Sequence, residues 1–81
     1  MTNKKWCLLK RSDGSRGLQG KKKVYEVTVA GRVLTCEWGM AEKPQRQRSV
    51  QVFASEQAAL GAAYEKVWSK RDRGYEVAYQ V

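Results

Sequence analysis

One short apolar run, three runs of alternating apolar residues, one Ala-rich stretch with helical spacing and a last alternating run predict an α+β fold: an antiparallel sheet of about four to five strands packed on one α-helix. With 81 residues the chain is read as a single domain over 1–81. A domain of that size buries about 60–65% of the surface its unfolded chain exposes.

The first apolar run, Trp6-Cys7-Leu8-Leu9, is flanked by Lys4-Lys5 and Lys10-Arg11 and reads as a strand. Residues 12–20 (SDGSRGLQG) have the Gly and Ser content of a flexible loop and lead into Lys21-Lys22-Lys23. Tyr25, Val27 and Val29 then alternate with Glu26 and Thr28, the period of two of a half-buried strand. Ala30-Gly31 marks a tight turn, because glycine tolerates positive φ, and the run that follows places Leu34, Cys36 and Trp38 on one side and Val33, Thr35 and Glu37 on the other. This is a hairpin.

Gly39 to Gln47 breaks the alternation, and Pro44, which cannot donate to a ladder, makes it a loop. Ser49 to Phe53 restores it for a fourth strand. Ser55 is an N-cap for the helix EQAALGAAYEKVWSKR, with Glu56 in the first turn, where the helix dipole favours an anion. Ala59, Leu60, Ala63, Val67 and Tyr64 supply its apolar stripe, small enough near the start for close approach to a sheet. Gly61 weakens this helix, Lys70, Arg71 and Arg73 suit its C-terminal end, and Gly74 suits the position just beyond it. Tyr75, Val77, Tyr79 and Val81 alternate once more as a fifth strand. Trp6 and Trp68 are read as core or edge-of-core packing, and Tyr25 and Tyr64 as structural.

Composition excludes several functions. The chain has no His and only two cysteines, Cys7 and Cys36, so a zinc site of two Cys and two His is impossible and neither a metal nor a cofactor is expected. Six Glu and two Asp are scattered without a paired motif, the serines lack a His partner, and no phosphate-cradling Gly-rich loop of the G-x-x-x-x-G-K type occurs, so no catalytic residues are expected. The cysteines lie in apolar runs and read as buried thiols of a reducing compartment, which makes cytoplasmic location the expectation. No apolar stretch approaches the roughly 18 residues of a membrane span, the start MTNKKW lacks a secretory apolar segment, and no membrane partner is expected.

The charge is the positive indication. Sixteen Lys and Arg against eight Asp and Glu give a net +8, a surplus suited to a polyanionic partner. An indole at a strand end inside so cationic a chain offers a ring to stack on beside bases that neutralise phosphates. The candidate nucleic-acid-binding residues are Trp38, Lys21, Lys22, Lys23, Lys43, Gln45, Arg46 and Arg48. Structural readings stand beside these: Trp38 as a core residue in one row with Leu34 and Cys36, the lysines as edge-strand protection, and the basic residues after Tyr64, offset by Glu65 and Asp72, as a solvated helix face.

An ordered set of residues resembles a known family. Lys23-Val24-Tyr25 opening a strand, the Ala-Gly-Arg turn, Trp38-Gly39 ending the next strand, Gln45 beyond it, Phe53 before an Ala-rich helix, Tyr64-Glu65-Lys66 within that helix and Gly74-Tyr75 after it resemble the WGR domain across roughly residues 20 to 79. WGR domains occur in poly(ADP-ribose) polymerases, where they help recognise DNA breaks, and as small bacterial proteins. The resemblance implies a non-catalytic module that binds DNA ahead of RNA and is nucleoid-associated. Departures weigh on that reading: Met40 stands where the family has its name-giving Arg, Lys22 where an Asn is common, and Ala41-Glu42-Lys43-Pro44 replaces a glycine-containing loop. Only Trp38 of the family's contact residues carries across. The alternative expectation is a protein-interaction module that recruits an acidic partner, and the sequence leaves the oligomeric state open.

Overall fold

The computed structural model describes residues 3–11, 22–40 and 44–81. The 12–20 loop expected from the sequence, together with Lys21 and Lys43, lies outside the described residues. The chain forms β1 (Asn3–Arg11), β2 (Lys22–Ala30), β3 (Val33–Met40), β4 (Gln47–Val52), α1 (Glu56–Asp72) and β5 (Glu76–Gln80). All strand pairings are antiparallel, in the order β4-β3-β2-β1-β5. The first four strands are therefore a meander, and α1 carries the chain across one face so that β5 joins the far edge.

Strand register follows from the alternation. Trp6, Val27 and Cys36 lie in one row across the sheet, and Leu8, Tyr25 and Trp38 lie in the next. These side chains meet the helix, where Leu8, Val27, Val29, Ala59 and Ala63 are fully buried. Alanine at two successive helical turns lets the helix backbone sit close to the sheet. On the other face, Lys5 and Arg46 both reach Glu26, at 3.6 and 3.1 Å. Cys7 and Cys36 are both buried and reduced, and they lie in registers of opposite parity, on opposite faces of the sheet.

The local signals hold at the ends of the helix. Ser55 has extended backbone, and its Oγ accepts a hydrogen bond from the Ala58 amide at 3.1 Å. Gly74 has φ +97°, the left-handed conformation that ends a helix, and lies against the Lys10 side chain. Gly31 has φ +60° in the two-residue connection between β2 and β3. No helix among the described residues is long and apolar enough to cross a membrane.

Three sequence expectations are corrected. β1 runs to nine residues rather than the apolar four, because β2 and β5 flank it and the ladder to β2 continues through its lysines. Trp68 is 65% exposed and Tyr64 39% exposed, so neither is core. The buried stripe is Ala59, Ala63 and Val67, and each residue along a helix turns about 100°, which carries 64 and 68 off that stripe toward solvent.

Gly61 offers the simplest test of this packing, since a Cβ there meets nothing within 4 Å. Gly61→Ala should stabilise the fold by about 1 kcal/mol, read as a shift in the urea midpoint at constant slope. A loss of stability would mean that the helix packs differently.

Candidate functional site

Strand direction decides where the charge goes. β1 ends, β2 begins, β3 ends and β4 begins at the same end of the sheet, and α1 runs toward that end from the β2–β3 turn. Lys10, Lys22, Lys23, Lys70, Arg71 and Arg73 are therefore collected at one pole, with Arg11 placed there by the backbone register, while Arg48 lies in the middle row of the sheet with Glu26 and Glu37. Around the opposite turn the described bases are Lys4, Lys5 and Arg32.

An aromatic cluster sits at the cationic pole. The Trp38 ring stacks on Tyr25, with centroids 5.6 Å apart and planes 13° from parallel, and Tyr75 meets Tyr25 edge-on at 6.2 Å. Trp38 Nε1 donates to Gln47 Oε1 at 3.1 Å. Tyr25 is buried while Trp38 keeps part of its surface. Trp38 thus belongs to the helix-facing row yet stands at its margin, where β4 supplies Gln47 instead of an apolar neighbour. Two lysines cap the cluster: Lys70 Nζ lies 4.5 Å from the Tyr25 ring centroid and Lys10 Nζ 5.8 Å from that of Tyr75. Ammonium groups over phenol rings at such distances are attracted by the ring quadrupole.

Burial, then the Arg73 and Lys66 charges nearby, pull the Lys70 ammonium below the ordinary lysine range. Burial followed by the adjacent Cys36 thiol raises the Tyr25 phenol, and burial raises that of Tyr75. On the far face, burial and then the Glu26 carboxylate raise the Cys7 thiol.

The candidates from sequence divide by face. Trp38 and Lys23 lie on the helix side, since Lys23 is two residues from Tyr25 and opposite Met40 and Lys10. Lys22 and Arg48 fall on the other side, Arg48 directly opposite Glu37. Arg46 is held by Glu26 and is partly neutralised there. Gln45 is exposed, and its carbonyl lies 3.1 Å from where a Cβ on Gly39 would stand. A Cβ at Gly39 would press on that backbone carbonyl, so glycine eases the approach of the segment that leads into β4 and carries Arg46 toward Glu26.

Lys70, Lys10, Tyr25 and Tyr75 were missed as site residues. Lys70 could have been found, because it continues the spacing of Ala59, Ala63 and Val67 and so must face the sheet. Lys10 could not, since its place beside Tyr75 depends on a pairing between β1 and β5 that no local pattern encodes.

Among the described residues no group of three His, Cys, Asp or Glu is placed to hold a metal ion. No family model, no curated protein and no solved structure matches this chain.

Two outcomes follow. Gly39→Ala should destabilise the fold by about 1–3 kcal/mol through overpacking against Gln45 and Arg46, measured by denaturant unfolding. The folded chain favours protonated Tyr25 and Tyr75, so their contribution to stability is complete below the ordinary phenol pKa of about 10 and is lost as pH rises above it. Thermal melts across that range should show a falling midpoint, which Tyr75→Phe makes shallower.

Proposed function

We propose that this domain is a non-catalytic nucleic-acid-binding module of WGR type, cytoplasmic and nucleoid-associated in a bacterial setting, that holds DNA in preference to RNA. The observation that carries the reading is the lysine-capped Trp38–Tyr25 stack at the pole where strand ends and helix C-terminus gather basic side chains. Phosphates of a backbone running over this pole meet Lys23, Lys70 and Arg73 on the helix side and Lys22 on the other face, with Arg48 further along the edge strand β4. Each neutralised phosphate releases condensed counterions, which provides affinity without reading sequence. The exposed part of Trp38 offers a sugar or base a surface whose orientation the Gln47 hydrogen bond fixes. A base stacked there adds on the order of 1–3 kcal/mol.

The family's Arg is absent at Met40, and Lys70 supplies positive charge close to the stack from the helix instead. Binding in this reading is therefore dominated by the phosphate backbone and has little base readout. Lys21 and Lys43, the other two basic candidates named from the sequence, lie outside the described residues.

Titration of fluorescent duplex, nicked and single-stranded DNA and of RNA at several salt concentrations tests the reading. Log affinity should fall linearly with log salt, by about 0.9 per phosphate engaged on duplex DNA. Lys23→Gln and Lys70→Gln should each lower that slope by about one unit, whereas Lys4→Gln, at the other end of the sheet, should not. No binding at low salt, or equal effects at both poles, overturns the reading. The same pole would attract an acidic protein, and a stoichiometric protein partner retained after nuclease and moderate salt would replace DNA as the occupant.

A further inference from the structure

The helix lies over β2 and β3 and leaves β4 uncovered, so a groove runs between α1 and this edge strand on the helix side of the sheet. Antiparallel register turns Gln47, Ser49 and Gln51 of β4 toward it, opposite Trp38, Cys36 and Leu34. Each carries an amide or a hydroxyl, and none is charged. Leu34 and Phe53 floor the part farther from the cationic pole, an open depression of about 390 Å³ bordered on the helix side by Ala62, Lys66 and Ser69. That volume lies within the range of ligand clefts.

The helix wall is cationic. Lys66, Lys70 and Arg73 follow one another at i, i+4 and i+7 and so share one face at the end of α1. They are close enough for the charges of Arg73 and Lys66 to act on the Lys70 ammonium. Glu65 borders the same depression and is the one acid among its lining residues. Lys66 to Arg73 spans about 10 Å of helix rise, and Gln47 to Gln51 spans about 13 Å of strand. A row of positive charge therefore faces a row of neutral hydrogen-bonding groups of similar length, with the Trp38 ring at the end that opens on the cationic pole.

This asymmetry between the walls selects the occupant. A single nucleic-acid strand carries charge along one side and neutral donors and acceptors along the other, whereas a duplex has its bases already paired. Building on nucleic-acid binding at the cationic pole, on which this inference rests, we propose that the groove holds an unpaired DNA strand. Its phosphates lie against Lys66, Lys70 and Arg73, and its bases lie over Gln47, Ser49 and Gln51, with one stacked on Trp38. Amides and a hydroxyl both donate and accept, so they meet the edge of any base and sequence preference stays low. Gln47 Oε1 is taken by the Trp38 indole, which leaves its NH2 group for a base. An acidic peptide fits less well: extended, it turns alternate carboxylates to the outer face, where β4 offers one base, Arg48, beside the exposed Val50 and Val52.

Titration of the full chain with oligothymidylate, a mixed-sequence single strand and a blunt DNA hairpin tests the proposal. Lys66→Gln should lower the salt slope for both single strands by about 0.7 and leave the hairpin slope unchanged. Gln51→Leu, at an exposed position, should weaken single strands about fivefold with little effect on the hairpin, the loss of one hydrogen bond. Glu65→Gln should tighten single strands alone. Far-ultraviolet dichroism checks that each variant is folded, and the wild type supplies an independent readout: the Gln51 side-chain amide resonance should shift with a single strand and stay still with the hairpin. Single strands that ignore Lys66→Gln and Gln51→Leu, or a Gln51 resonance that never moves, overturn the proposal and leave hairpin binding at the pole standing. Poly-glutamate that binds as tightly and is equally weakened by Gln51→Leu would make a peptide the occupant. Absence of binding by strand and hairpin alike removes the nucleic-acid reading itself.

Discussion

Close contact between the Ala59–Ala63–Val67 stripe and the helix-facing side chains Leu8, Val27, Val29 and Leu34 of three strands is the constraint from which the other features descend. Two fully buried alanines bring the helix down onto β2 and β3, and that placement fixes both its direction and its rotation. Direction delivers the basic C-terminal turn to the end of the sheet where β2 begins. Rotation turns Lys70 onto Tyr25 and turns Trp68 outward. A bulkier stripe would lift the helix, separate Lys70 from the Tyr25 ring and dissolve the cluster.

Much of this was legible in the residues, and the limits have physical causes. Alternation located the strands of the β2–β3 hairpin and β4, and Ser55, Gly74 and Gly31 marked their caps and turn, because each of these depends on near neighbours in sequence. The outcomes at Trp68 and Tyr64 were not legible from hydrophobicity, since an aromatic residue in an amphipathic run is equally compatible with either side of a helix until the stripe's phase is known. The candidate site was only partly visible. Trp38 and Lys23 stood out as a motif and a charge run, whereas Lys10 joins Tyr75 through a pairing of strands distant along the chain. Arg46 illustrates the converse: charge alone nominated it, but Gly39 lets its segment cross β3 to Glu26, where it is bound within the protein.

Charge in this domain is sorted by topology. A meander whose strand ends meet the helix C-terminus at one pole concentrates bases there. Residues 74–81, which include β5, contain no Lys or Arg of their own, and the base that lies over Tyr75 there is Lys10 of β1.

The most direct test of the central claim, that the pole around Trp38 and Lys70 is where a polyanion binds, is amide chemical-shift mapping of the labelled domain during titration with a short DNA duplex. The account predicts that shifts gather at Lys23, Met40, Gln47, Lys70 and Arg73, and that the Trp38 indole resonance moves with them. Shifts spread evenly over the sheet, or centred on Gly31, Arg32 and Val52 at the other end, would contradict it.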